Sequence, residues 1–214
     1  MTEFDSTPAP QPPASEAAEG VRKRPKPGER RLQILQALAA MLEQPGAERV
    51  TTAALAARLQ VSEAALYRHF ASKAQMFEGL IDFIEQTVFS LVNQIVARED
   101  DGALRAARVV TVLLQFGERN PGMARVIAGD ALVLENDRLQ QRMNQLFDKI
   151  EATLKQLLRE AAQAGHSQTP SVDAQVRASV LIAFAMGRLQ RFARSGFRRL
   201  PTENLDGSLT FLLS

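Results

Sequence analysis

The residues of this sequence best suited to chemistry lie between positions 51 and 73, and the chemistry they favour is hydrogen bonding to an anion. The run offers hydroxyl, imidazole, carboxylate and cationic groups at Thr51, Thr52, Ser62, Glu63, Tyr67, Arg68, His69 and Lys73. Groups of this kind bind the phosphate oxygens and base edges of DNA. We therefore treat all eight as candidate DNA-binding residues.

Catalysis is a much poorer match to the composition. The chain has no Cys and only two His, His69 and His166, which lie far apart in the sequence. It also lacks metal-ligand spacings, a glycine-rich phosphate loop and a nucleophile elbow. We expect neither an enzyme nor a cofactor.

Two short helices must position the candidate residues. Thr51 or Thr52 can cap the first helix, Ser62 can cap the second, and Ser72 can cap the helix that follows. The pattern predicts a helix-turn-helix whose second helix enters the major groove of DNA, although a plain helical hairpin with solvated polar residues also fits it. The apolar positions expected to face inward are Ala53, Leu55, Ala56 and Leu59 in the first helix and Ala65, Leu66 and Phe70 in the second.

The distribution of charge favours the DNA-binding interpretation. Residues 21–73 hold ten Lys or Arg and four acids, whereas residues 74–214 hold sixteen of each sign. A positive field confined to the segment with the helix-turn-helix is expected for contacts to phosphate. Residues 1–27 are rich in proline and predict disorder, and Arg22, Lys23 and Arg24 within them form a basic arm suited to the minor groove. The alternative for that arm is a solubilising tail.

The run Ala64-Ala65-Leu66-Tyr67-Arg68-His69-Phe70, with Ser72-Lys73 after it, resembles the recognition helix of TetR-family regulators. Phe116 to Gly122 and Asp137 to Gln140 are similar to the nucleoid occlusion branch of that family. The resemblance implies an all-α, TetR-like fold with an N-terminal three-helix helix-turn-helix domain and a C-terminal helical dimerisation bundle. We expect a disordered extension at 1–27, the DNA-binding domain at 28–74 and the helical domain at 75–214.

Function also follows from the resemblance. A nucleoid occlusion factor binds double-stranded DNA and, when bound, inhibits ring assembly by the tubulin-like division protein FtsZ. The resemblance implies that the C-terminal tail of FtsZ binds the face between the fourth and fifth helices, where Phe83, Arg119, Asn120 and Pro121 would form its site. On the residues alone, Phe83 is either covered within a dimer or available to a partner, and Asn120-Pro121 is an ordinary helix start. We expect a cytoplasmic, nucleoid-associated protein that needs no membrane.

The remaining pattern predicts long helices and a homodimer. Helices are expected at about 28–44, with Leu32, Leu35, Leu38, Ala39 and Leu42 inward, and at 72–98, 103–118, 130–164 and 171–195, with short ones after Pro121 and within 201–214. We expect dimerisation through the helices at 130–164 and 171–195. The alternative function is a ligand-responsive repressor with a small-molecule pocket in the helical domain. A cavity visible in the structure would favour the repressor, and a filled core with an exposed groove between the fourth and fifth helices would favour the protein partner.

Overall fold

The structure is a computed structural model that describes residues 28–44 and 50–214. The predicted basic arm and proline-rich extension, including Arg22, Lys23 and Arg24, lie outside the described residues. The predicted all-α class is confirmed, since the described residues form helices and no strand. The helices are α1 (Glu29–Leu42), α2 (Thr52–Leu59), α3 (Glu63–Tyr67), α4 (Lys73–Arg98), α5 (Gly102–Arg119), α6 (Pro121–Ile127), a 3-10 turn (Asp130–Leu132), α7 (Asp137–Ala164), α8 (Pro170–Arg194) and α9 (Leu205–Leu213).

Helices α2, α3 and α4 begin where serine and threonine side chains can cap them. The Thr51 hydroxyl accepts a hydrogen bond from the Ala54 amide at 3.2 Å, so Thr51 rather than Thr52 is the cap of α2. Ser62 caps α3 and Ser72 caps α4 in the same way, at 3.3 and 3.2 Å. Each hydroxyl satisfies an amide that has no partner within the helix, so the helix boundaries are fixed locally.

Two residues expected on inner faces are exposed. Leu32 is 49% exposed, while Ile34 takes the buried position at the start of the α1 stripe. At about 100° per residue, Leu32 and Ile34 lie on opposite sides of the helix, and the buried stripe follows Ile34, Leu38 and Leu42. Ala53 is likewise exposed, whereas Leu55 and Ala56 are buried as expected.

The α4–α9 bundle has two distinct ends. The end that meets α1 contains the starts of α4 and α7, the ends of α5 and α8, and α6, which packs on α1. The contact between α6 and α1 is close, because a Cβ added at Gly122 would lie 2.0 Å from the carbonyl oxygen of Ala39. At the far end, a Cβ added at Gly102 would lie 2.4 Å from the carbonyl oxygen of Leu157. We call these the α1 end and the far end.

Helix α7 begins later than predicted. The expected start at Asp130 is wrong, because residues 130–132 form a 3-10 turn and Asn136 accepts a hydrogen bond from the Arg138 amide at 3.1 Å, capping a helix that starts at Asp137. Gly129 precedes the turn with a φ of 84°, a left-handed conformation that a side chain would strain. The chain therefore changes direction before α7 begins.

Helix α5 is the centre of the bundle. Its residues Val109, Val110, Leu113 and Leu114 are buried, and it contacts α4, α6, α7, α8 and α9. Helix α7 also buries its whole apolar stripe within the protomer. The eight residues of that stripe are Leu139, Met143, Leu146, Phe147, Ile150, Leu154, Leu157 and Leu158.

Helix α4 has the length and apolar composition of a membrane-spanning helix, the only such helix among the described residues. It nevertheless carries acids that pair with α7: Arg142 binds Asp82 at 2.8 Å and Glu85 at 2.7 Å, and Arg138 binds Glu78 at 2.9 Å. Burial lowers the pKa of Arg142, but the two carboxylates outweigh it and the pKa is raised. Apolar packing on one side and ion pairs on another are typical of a core helix in a bundle.

Candidate nucleic-acid interface and partner face

The recognition helix α3 presents its polar side chains outward. Tyr67, Arg68 and His69 are exposed, while Leu66 and Phe70 are buried against α1, α2 and α4. This separation follows from the spacing of Leu66 and Phe70, which lie one turn apart on the inner face. The structure thus gives three of the predicted DNA-binding residues a common outward surface.

Arg31 holds the end of the recognition helix, a role that the sequence analysis missed. Its Nη1 donates a hydrogen bond to the His69 carbonyl oxygen at 2.8 Å, and its guanidinium lies 4.0 Å from the centre of the Phe70 ring. The bond satisfies a carbonyl at the end of α3, and the stacking adds a cation–π attraction. A cation in the first turn of α1 was the available signal, but nothing local shows that it reaches a residue 38 positions away.

Two of the predicted DNA-binding residues bind each other. The Thr52 hydroxyl donates to a Glu63 carboxylate oxygen at 2.6 Å, which ties the first turn of α2 to the first turn of α3. This bond adds a polar contact between the two helices. It also leaves the neighbouring caps, Thr51 and Ser62, on the exposed side of the same motif.

Lys73 joins the helix-turn-helix to the bundle. Its ammonium pairs with the Glu135 carboxylate just before α7, and it lies 5.6 Å from the centre of the Phe77 ring. The Glu135 side chain is largely buried in this pair. Lys73 is therefore a link between the two parts of the protein as well as a candidate phosphate contact.

The predicted partner-binding residues lie on α4 and at the junction of α5 with α6. Phe83 is 41% exposed and lies fifteen residues before the end of α4, and Arg119 lies seventeen residues after the start of α5. Because the two helices are antiparallel neighbours and each residue adds about 1.5 Å, these two positions are at nearly the same height in the bundle. Arg119 is exposed.

Asn120 does not have the structural role expected of it. Its side chain does not cap α6; its Nδ2 donates instead to the Phe116 carbonyl oxygen at 2.8 Å, closing the end of α5. Pro121 is the first residue of α6, where its missing amide costs nothing. Asn120 and Pro121 thus form a rigid corner beside Arg119.

The comparisons with known proteins match both halves of the chain. Residues 34–80 match the family described as bacterial regulatory proteins, tetR family, and residues 100–214 match the SlmA-like tetracyclin repressor-like C-terminal domain. The nucleoid occlusion factor SlmA of Idiomarina loihiensis is 53% identical over 177 residues, which cover 83% of this chain and 90% of that protein. The factor of the same name from Vibrio cholerae is 52% identical over 178 residues, with the same coverage.

The chain belongs to the SlmA family of nucleoid occlusion factors. This membership confirms the resemblance read from the recognition helix and from residues 116–122. The family and the fold are those of TetR-type DNA-binding regulators. A ligand-responsive repressor has less support.

Solved structures confirm the architecture. The chain superposes on FadR from Bacillus subtilis, solved with stearoyl-CoA, with a TM-score of 0.68 at 16% identity, covering 86% of this chain and 97% of FadR. PfmR from Thermus thermophilus gives a TM-score of 0.69 at 20% identity, covering 85% of this chain and 97% of PfmR. At such identities the likeness concerns the fold alone.

Cavities occur at the margins of the bundle. One of about 300 Å³ lies at the far end near Ala103 and Arg177, one of about 440 Å³ lies between α8 and α9, and one of about 350 Å³ lies beside Ile127 and Phe147. The first is lined by Ala103 at the start of α5, and none of these three is lined by a residue of α4. The centre of the bundle beside α5 is filled by aliphatic side chains.

Proposed function

We propose that this protein is a nucleoid occlusion factor that binds double-stranded DNA and, in the bound form, inhibits FtsZ ring assembly. The observation that carries the proposal is an exposed aromatic side chain, Phe83, at the height of Arg119 on a bundle whose centre is filled. A filled centre fits a protein partner better than a small ligand. The place of action would be the nucleoid, in the cytoplasm.

For DNA, the proposed contacts come from the helix-turn-helix and from the basic arm. Tyr67, Arg68 and His69 would face the groove, and the caps would lie near the backbone. The remaining contributions would come from Thr51, Thr52, Ser62, Glu63 and Lys73, with Arg22, Lys23 and Arg24 in the arm. Glu63 and Lys73 have partners within the protein, so Lys73 would exchange Glu135 for a phosphate on binding.

For FtsZ, the C-terminal tail would bind the face between α4 and α5. Phe83 would supply an apolar anchor, Arg119 would pair with a carboxylate of the tail, and Asn120 with Pro121 would shape the edge of the site. The Nδ2 of Asn120 binds the Phe116 carbonyl, so its side-chain oxygen is the group offered to a backbone amide of the tail.

Sedimentation of FtsZ polymers tests this function directly. FtsZ with GTP would be pelleted alone, with the protein, and with the protein plus a duplex selected by it from a random pool. We expect less pelleted FtsZ when protein and duplex are both present than with either alone. An unchanged pellet under all conditions would show that the function is different.

The proposed assembly is a homodimer through α8 and α9, which changes the predicted pair of helices. Helix α7 buries its stripe within the protomer, whereas α8 leaves a second apolar stripe exposed and Phe211 on α9 is 81% exposed. A second copy of the chain would cover these residues and set the two recognition helices about 34–36 Å apart, one turn of DNA. The exposed stripe consists of Val172, Val176, Val180 and Met186.

Sedimentation of the protein alone tests the dimer. Val176→Glu should convert a dimer at micromolar concentration into a monomer, because two carboxylates would lie close to the two-fold axis. Gln156→Glu on α7 is the matched control and should leave the dimer intact. A monomeric unsubstituted protein, or dimerisation of the Val176 variant, would contradict the proposed interface.

A further inference from the structure

The last turns of α8 and the loop after it form a strongly basic surface that the proposed function does not use. Residues 188–199 contain five arginines and no acid. The Arg188 side chain has a partner within the protein, because its Nη1 donates a hydrogen bond to the Glu203 carbonyl oxygen at 2.8 Å. The other four side chains are exposed, and we call them the arginine surface: Arg191, Arg194, Arg198 and Arg199.

The loop that carries Arg198 and Arg199 has a defined conformation. The Ser195 hydroxyl oxygen accepts hydrogen bonds from the amides of Arg198 and Arg199, at 3.1 and 2.9 Å. Phe197, just before these two arginines, has a φ of 65°, a left-handed conformation unusual for an aromatic residue. The turn thus holds the backbones of the two arginines in place directly after a strained residue.

Packing of the Phe197 ring compensates for that strain. The ring lies 5.2 Å from the Phe192 ring, centre to centre, and the Arg125 guanidinium lies 5.6 Å from the Phe197 ring centre. A residue held in such a conformation persists only where its surroundings over-determine it. The arginine surface is therefore presented by a fixed turn.

This surface lies at the α1 end of the bundle, on the same side as the helix-turn-helix. Helix α8 contacts α6, which packs on α1, and the last turns of α8 are the part that reaches there. Arg194 lies 4.0 Å from Asp130 in the 3-10 turn before α7, and Leu189 fills the space over Gly117 near the end of α5. The arginine surface and the recognition helix thus belong to the same end of the molecule.

The arginine surface also continues the exposed apolar stripe of α8. Arg194 lies eighteen residues after Val176, and Arg191 lies eleven after Val180, both close to whole numbers of turns. In a two-fold dimer through this stripe, the arginines of both copies approach the axis at the α1 end. Like charges there repel unless an anion lies between or below them.

We propose that the arginine surface binds the phosphate backbone of the duplex that runs between the two recognition helices. The inference rests on the proposed dimer and its DNA binding. Duplex DNA is the occupant because its backbone is a continuous polyanion and the surface lies at the end that reads DNA. Such contacts add affinity without sequence preference.

The test compares neutralised arginines at the two ends of the full-length protein. One variant carries Arg191→Gln and Arg199→Gln, and a second carries Arg198→Gln. The matched control carries Arg98→Gln and Arg159→Gln, which remove two exposed arginines at the far end. Affinity is measured at several salt concentrations for a duplex that the unsubstituted protein selects from a random pool and for an unselected random duplex.

We expect the double variant to bind both duplexes about 3- to 10-fold more weakly at low salt. Each lost phosphate contact reduces the slope of log affinity against log salt by about one, so both duplexes lose the same slope. The Arg198 variant should show a smaller change of the same kind, and the far-end control should show none. Circular dichroism and sedimentation verify that fold and dimer are retained.

Three results would overturn the inference. Unchanged affinity and salt slope in the double variant would overturn it while leaving the proposed function standing. So would a loss confined to FtsZ inhibition, which would assign the surface to an acidic protein partner. No duplex binding by the unsubstituted protein would overturn both this inference and the proposed function.

Discussion

The DNA-reading motif and the α4–α5 face are built in opposite ways. In the first, short helices are fixed by bonds between neighbours, such as the Thr51 and Ser62 caps and the Thr52–Glu63 pair. In the second, Phe83 and Arg119 come from two long helices and lie at a similar height only because α4 and α5 pack as antiparallel neighbours. A local motif can be predicted from the spacing of residues in the sequence. A face formed by two packed helices can be predicted only when the register between those helices is known.

If the two sites are independent, substitutions at one site should leave the activity of the other unchanged. Phe83→Ala and Arg119→Asp should each reduce FtsZ inhibition at least 10-fold, because truncated central anchors typically cost about 2 kcal/mol or more. DNA affinity should stay unchanged, since neither residue belongs to the helix-turn-helix. The measurements are FtsZ sedimentation and binding to a selected duplex.

A matched control is Gln86→Ala, which removes an exposed polar side chain from α4 near Phe83. It should keep full inhibition. If both Phe83 and Arg119 variants still inhibit FtsZ, the tail binds elsewhere and the face between α4 and α5 loses its proposed role.

The reciprocal change is Tyr67→Ala in the recognition helix. Loss of a phosphate hydrogen bond and of packing on the groove should weaken binding to a selected duplex by about 1–3 kcal/mol. Binding of an FtsZ tail peptide, measured by fluorescence anisotropy without DNA, should not change. Unchanged DNA affinity at moderate salt would contradict the proposed docking of α3.

A smaller effect should come from the cap alone. Ser62→Ala removes the acceptor for the Ala65 amide, and loss of such a cap costs about 1 kcal/mol. Hydrogen exchange at the Ala65 amide should become faster, and DNA affinity should fall several-fold. Ser62→Asn can still cap the helix and should restore much of the amide protection and of the DNA affinity. Equal hydrogen-exchange rates at the Ala65 amide in all three proteins would mean that the cap does not stabilise α3.

The smallest effect is expected at the link between the two regions. Glu135→Gln frees Lys73 from its carboxylate, so Lys73 becomes available to phosphate and affinity for duplex DNA should rise about 2- to 3-fold. Glu78→Gln, which breaks the Arg138 pair instead, is the control and should not raise it. A fall in affinity with Glu135→Gln would mean that the pair helps to position α3.

Much of the fold could be predicted because its signals are local. Ser62 and Ser72 cap the expected helices, and Leu66 and Phe70 are buried one turn apart as predicted. Some failures are local, such as the start of α7 and the side-chain bond of Asn120, and others involve long-range packing. Leu32 was assigned to the wrong side because two leucine-rich stripes compete on α1, and the reach of Arg31 to His69 spans 38 positions.

The difference between local signals and long-range packing also explains why the proposed dimer interface differs from the predicted one. Both α7 and α8 are amphipathic, yet α7 satisfies its stripe within the protomer and α8 does not. Periodicity shows that a helix has an apolar face, but only the fold shows whether that face is already covered. The candidate partner residues depended on family resemblance for this reason, since nothing local distinguishes Phe83 from other exposed aromatics.

The contact of Gly122 with the Ala39 carbonyl bears on how the protein would measure length along DNA. The Gly122 backbone lies directly against the Ala39 backbone there, so little space is left to absorb a displacement of α1 relative to α6. In the proposed dimer, the two helix-turn-helix motifs would therefore be held at a fixed separation. Inserting one base pair between the half-sites moves one of them by about 3.4 Å and turns it by roughly a tenth of a revolution, a mismatch that the DNA itself would have to absorb by twisting.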